Sequence, residues 1–161
     1  MVKKEATAWA LGIASLSLLA SISIYSFARL HPPEILESLQ ATYPVLAAQT
    51  AFHGNAPSFF YTLALALFIG ALASTPGSAR RHCLIWIGLA ICLELSQHPI
   101  VAGDLSTWLE AVLPGSAWEY IGSYWARGVF DRLDLIATLS GGFISMVLLT
   151  YLHREANDAQ H

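Results

Sequence analysis

The chain has 161 residues, of which 55% are hydrophobic and only 12% charged, about half the charged share of an ordinary soluble domain. The net charge of -3, with no basic patch and no phosphate-cradling glycine motif, argues against nucleic acid as a partner and against an ATP-driven role. What remains is a single polytopic membrane domain over residues 1–161, with the lipid bilayer as its first partner.

In chain order, a short tail carries Lys3 and Lys4, and an uncharged run from Ala8 to Ala28 begins the first span. Its small-residue end at Ser26 and Ala28 also imitates a secretory cleavage site. The run is longer than a signal core and further spans follow, which favours an uncleaved helix. Ser15, Ser17, Ser21 and Ser23 thread it as candidate helix contacts. A long connection follows, in which Ile35, Leu36 and Leu39 have the spacing of a one-sided surface helix. His53, Gly54, Asn55 and Pro57 are turn chemistry before the second span, over 58–75, where Ala66 and Gly70 form a small-xxx-small pair. Thr75 to Ser78 reads as a tight turn.

The third span is expected over 82–99, with Gly88 and Cys92 for close packing and Pro99 as its end or kink. Cys83 and Cys92 lie nine residues apart, about 13 Å along a helix, too far to bond to each other, and read as small buried hydrophobes. The next connection holds two short interfacial helices. One has Leu105, Trp108, Leu109 and Val112 on one face, with Asp104 as N-cap. The other starts at a capping box, Ser116 with Glu119, and carries Trp118, Tyr120, Tyr124 and Trp125. The last span, over 133–152, has Thr138, Gly141, Gly142 and Ser145 as its packing face. The fold class is thus an all-α, four-helix transmembrane bundle with interfacial helices in its two outward-facing connections. Lys3, Lys4, Arg80, Arg81 and Arg154 on one side outnumber Arg29, Arg127 and Arg132 on the other, which places both termini in the cytoplasm of a multi-pass cell-membrane protein.

Polar residues collect at the exit of the third span and the entrance of the fourth. Glu94, Gln97 and His98 are three and four apart and share a helix face, and so do Asp131 and Asp134. With Arg127 and Arg132 they converge at one surface, and His53 and Tyr61 reach the same level from the second span. Glu94 lies about a turn inside, so it is expected to be neutral or paired with Arg132, Arg127 or His98. Asp134 has free helix N–H groups beside it and ionises more easily. Such a pair fits acid–base catalysis by Glu94 and Asp134, and equally a structural lock between acids and arginines. Metal binding is the weakest of the three readings, since no ligand motif is present, and no cofactor is implied.

Glu94 with Gln97 follows a Glu-x-x-Gln pattern, and Asp134 with Gly141 follows Asp-x-x-x-Asn-x-x-Gly. With the expected spans, the stretch from Ser58 to Leu152 resembles VanZ-like membrane proteins, a diverse family named for reduced susceptibility to the glycopeptide teicoplanin. Two positions depart from the pattern: the family asparagine is Thr138, and the histidine early in the second span is Tyr61. The resemblance implies a cell-envelope protein whose site includes Glu94, Gln97, Asp134 and Thr138. Three functions stay open at this level: binding of an envelope or lipid-linked precursor, a small membrane enzyme acting on one, and an assembly partner for other membrane proteins.

Overall fold

In the computed structural model, residues 2–28, 54–73, 75–113, 115 and 130–158 are described. All the regular structure among them is helical. Five helices follow in order: α1 (Val2–Ala28), α2 (Ala56–Ala71), α3 (Pro76–Ser96), α4 (Pro99–Val112) and α5 (Arg132–Asp158).

Local chemistry sets the breaks. Thr75 is extended and accepts a hydrogen bond from the Ser78 backbone, while the Ser78 hydroxyl bonds back to the Thr75 N–H, and Pro76 occupies the first turn. The segment expected to be a tight turn is therefore a helix N-terminus, in which proline costs nothing because its N–H would be an orphan anyway. It starts α3 at residue 76 rather than 82, and α2 correspondingly stops at Ala71 rather than 75. At the other end of α3, Pro99 forces His98 into an extended conformation (φ -62°, ψ 133°), and the chain turns by 93° into α4. Asp104 is thus interior to α4, not its cap. His98 caps it, its Nδ1 accepting from the Ile100 N–H at 3.4 Å. No residue of α4 is buried, and among the described helices it packs chiefly on α3, over a small contact.

Helices α1 and α5 are each long and apolar enough to cross a membrane, and α3 with α4 would add a third crossing if the bent pair counts as one span. Helix α2 has 16 residues, about 24 Å of rise, less than the roughly 30 Å of a hydrocarbon core. It is nonetheless the centre of the packing, touching α1, α5 and α3. Its buried residues Thr62, Ala66 and Gly70 recur every fourth position. Facing it, α1 buries Ala10, Ala14, Ser17 and Ser21, and α5 buries Thr138, Gly141, Gly142, Ser145 and Leu149. Small residues on these stripes let the backbones approach closely. A β-carbon on Gly141 would collide with the carbonyl oxygen of Phe59, and one on Gly70 with the Leu149 side chain.

Two sequence readings are corrected here. In α3 the packed stripe is Ala79, Cys83, Ile87 and Ala90, whereas Gly88 and Cys92 are exposed and no atom lies within 4 Å of a β-carbon built at Gly88. Cys83 is buried and its thiol donates to the Ala66 carbonyl at 3.3 Å, so only one of the two cysteines is a core residue. On α1, Ser17 and Ser21 face the bundle but Ser15 and Ser23 do not. The surface helix expected near Ile35 and the capping box expected at Ser116 lie outside the described residues.

Candidate functional site

Extending the packed stripe of α3 by one turn from Ala90 arrives at Glu94. Its side chain is carried on the buried face of the helix, and it is half-buried for that reason. Because α3 runs towards this end of the bundle while α2 and α5 run away from it, Glu94 meets the first turns of both. The hydroxyl of Ser58, in the first turn of α2, donates to Glu94 Oε1 at 3.5 Å and is also within hydrogen-bonding reach of Asp134. Asp134 and Asp131 in turn lie within electrostatic range of Glu94.

Asn55 completes the arrangement. It sits at the N-cap position of α2 without capping it. In the orientation that satisfies the surrounding donors and acceptors, its Nδ2 donates to Asp134 Oδ1 at 3.0 Å and to Asp131 Oδ2 at 3.3 Å. Asp131 also does structural work, its Oδ1 accepting from the Leu133 N–H at 2.9 Å as the N-cap of α5. Three carboxylates are thus tied together by one amide and one hydroxyl.

The structure gathers Glu94, Asp131 and Asp134 as the sequence suggested. Gln97 is the C-cap of α3, its N–H closing on the Glu94 carbonyl while the His98 N–H closes on that of Leu95. His98 has moved into the next helix cap, where its ring lies edge-on to Phe130 with centroids 4.9 Å apart. Among the described residues no ion pair joins Arg132 to Glu94 or Asp134, so the expected pairing of Glu94 with Arg132 or His98 is replaced by its bond to Ser58. Arg127 and His53 lie outside the described residues. No three His, Cys, Asp or Glu side chains among those described could hold one metal ion.

Comparison with family models, with curated proteins and with solved structures finds no match. What the site can do is therefore read from its own shape. A slot of about 440 Å³ opens beside the cluster, with Ser58, Tyr61 and Thr62 of α2 along its floor, Glu94 and Leu93 on one side, and Ser21 and Tyr25 of α1 on the other. Thr138 of α5 is buried and closes its back. The Tyr61 ring stands at the slot, edge-on to Trp86 at 5.7 Å. The volume is within the range of small-molecule sites. A second cavity of about 410 Å³ is formed by the N-terminus of α3 and the end of α5, among Arg80, His153 and Arg154. It is lined by none of the candidate site residues.

Sequence reasoning passed over Asn55, Ser58 and Thr62. Asn55 was legible only as a turn residue before Pro57, and Ser58 only as the start of a span. The available signal was a pair of polar side chains in the first turn of an otherwise apolar helix, where neither is needed for helix formation.

Proposed function

We propose that this chain is a multi-pass, VanZ-like integral membrane protein that binds an envelope or lipid-linked component through the Asn55, Ser58, Glu94, Asp131 and Asp134 cluster. Four helices lie in the membrane, and α4 lies along its surface. Both termini are cytoplasmic, and the cluster faces the outside of the cell. The reading rests on one observation: the polar cluster adjoins a slot of about 440 Å³ whose walls are largely apolar. A polar rim over an apolar trough suits an amphiphile better than a soluble metabolite. The 93° turn at Pro99 supports an interfacial α4, since it swings the exposed Trp108 and Val112 away from the bundle axis.

The test is lipid retention. The full chain is purified in mild detergent and its retained lipids are identified by mass spectrometry. Glu94→Gln and Asp134→Asn keep shape but change donor and charge, and each is expected to lower a specifically retained lipid about tenfold while the protein still folds. Retention of the same lipid at wild-type levels by both variants would remove the cluster from consideration.

Orientation has its own check. In a Cys92→Ser background, Asp104→Cys is expected to react with an impermeant maleimide from outside intact cells and Gly77→Cys is not. The reverse labelling would put the cluster on the cytoplasmic face.

An enzymatic reading is favoured by one specific feature, a single hydroxyl, Ser58, held between the carboxylates of Glu94 and Asp134. A pair of carboxylates that can hold and pass on a proton is what acid–base chemistry on a lipid-linked substrate requires. That reading predicts time-dependent conversion of a lipid in a membrane extract, abolished by Glu94→Gln.

A further inference from the structure

Among the described residues, one buried hydroxyl has no partner within the fold. Several hydroxyl side chains on the helices bond back to their own turn: Ser145 to the Gly142 carbonyl at 2.6 Å, Thr150 to the Met146 carbonyl at 2.7 Å, and Thr107 to the Gly103 carbonyl at 3.0 Å. Thr62 does not. It is 0% exposed, and its Oγ1 has no hydrogen-bond partner among the described residues. An apolar side chain of the same shape, such as valine, would avoid the roughly 1–3 kcal/mol that an unsatisfied buried hydroxyl costs. Thr62 lies on the floor of the slot, one helical turn below Ser58.

The slot has a direct way in. Helices α1 and α3 each pack on α2 and α5, and no packing of comparable extent joins α1 to α3. The gap between them, over Ile22 and Leu93, is flanked by apolar side chains that are 53% and 38% exposed. Among the described residues its polar lining contains hydroxyls and the Glu94 carboxylate but no lysine or arginine, and Asp131 and Asp134 add further negative charge at the rim. These groups repel an anionic head group. They attract an ammonium, but to reach Thr62 it would have to be desolvated, at greater cost than an alcohol.

We infer that the slot takes the uncharged, hydroxyl-bearing head group of a membrane amphiphile, with hydroxyls bonded to Glu94 and to Thr62 and the alkyl chain leaving between α1 and α3. This deepens the proposed lipid-binding function and rests on it. It narrows the ligand from any envelope lipid to a polyol or sugar lipid. Glu94 accepts from one hydroxyl of the head group, and a second hydroxyl satisfies Thr62 Oγ1.

The experiment uses the full chain in phosphatidylcholine nanodiscs and a photoreactive monoacylglycerol as the probe. Unlabelled monoacylglycerol or alkyl glucoside is expected to compete, and the stronger of the two shows whether the hydroxyls come from glycerol or from a sugar. Lysophosphatidylglycerol and an alkylamine are expected to compete at least about tenfold more weakly. Thr62→Val is expected to weaken the probe's binding about three- to tenfold without lowering thermal stability, as the loss of one hydrogen bond would. Wild-type affinity in Thr62→Val, or equal competition by the anionic or the cationic amphiphile, would overturn the inference. If Glu94→Gln weakens binding while Thr62→Val does not, the lipid-binding function stands and only the assignment of its head group falls. If Glu94→Gln also leaves binding unchanged, the function falls with it.

Discussion

Replacing Gly141 by leucine is expected to unfold the bundle in detergent at a markedly lower temperature than wild type, with a loss on the order of 3 kcal/mol or more. The size follows from what the new atoms would meet. A β-carbon at Gly141 collides with the backbone carbonyl of Phe59 and stands 3.2 Å from the Leu63 nitrogen, so even alanine demands that α5 retreat from α2. Gly142 is equally buried, but its β-carbon would meet side-chain atoms of Ile87 rather than backbone. Gly142→Ala is therefore expected to cost less than Gly141→Ala. Gly88 has no neighbouring atom within 4 Å of an added β-carbon, so Gly88→Ala should be neutral or stabilising by up to about 1 kcal/mol through helix propensity. Thermal unfolding of the four variants by intrinsic fluorescence gives the order. Equal midpoints for Gly141→Ala and Gly88→Ala would mean that α5 does not rest on α2 through this face.

The second large effect concerns Asn55. Its amide is the donor between Asp131 and Asp134, and Asn55→Asp replaces that donor by a third carboxylate. Both hydrogen bonds are lost and like charges are brought together. The cluster is only half-buried, so solvent screens part of the repulsion, and the expected destabilisation is about 2 kcal/mol, with Asn55→Ala in between. The dependence on pH has a definite sign. Repulsion needs ionised carboxylates, so it is relieved as acidification protonates them. The gap in melting temperature between Asn55→Asp and wild type should therefore narrow as the pH falls. A gap that is constant with pH, or a variant as stable as wild type, would show that Asn55 does not bridge the two acids.

Both effects originate in contacts between helices, and they mark where the sequence stops being informative. Composition alone determined that the chain is helical and apolar enough to enter a membrane, since α1 and α5 carry the required length within themselves. Periodicity along a single helix was enough to find the face of α5, because the small residues Thr138, Gly141, Gly142 and Ser145 recur at helical spacing. It failed on α3. There Gly88 and Cys92 are as small as Ala79, Cys83 and Ala90, and only the position of α2 decides which set is buried. The site divides in the same way. Glu94, Asp131 and Asp134 were legible because a carboxylate in an apolar run is costly and therefore conspicuous. Gln97 and His98 read as one more turn of the same helix. Pro99 ends α3 there, through the clash that keeps His98 extended, and makes His98 the cap of α4. Asn55, Ser58 and Thr62 carry no charge, so in the sequence only their polarity near the start of an apolar helix separates them from turn and packing residues. They became part of a site when α2 was placed between α1, α3 and α5, a burial that depends on surfaces distant in the chain and on no property of the 16 residues of α2 alone.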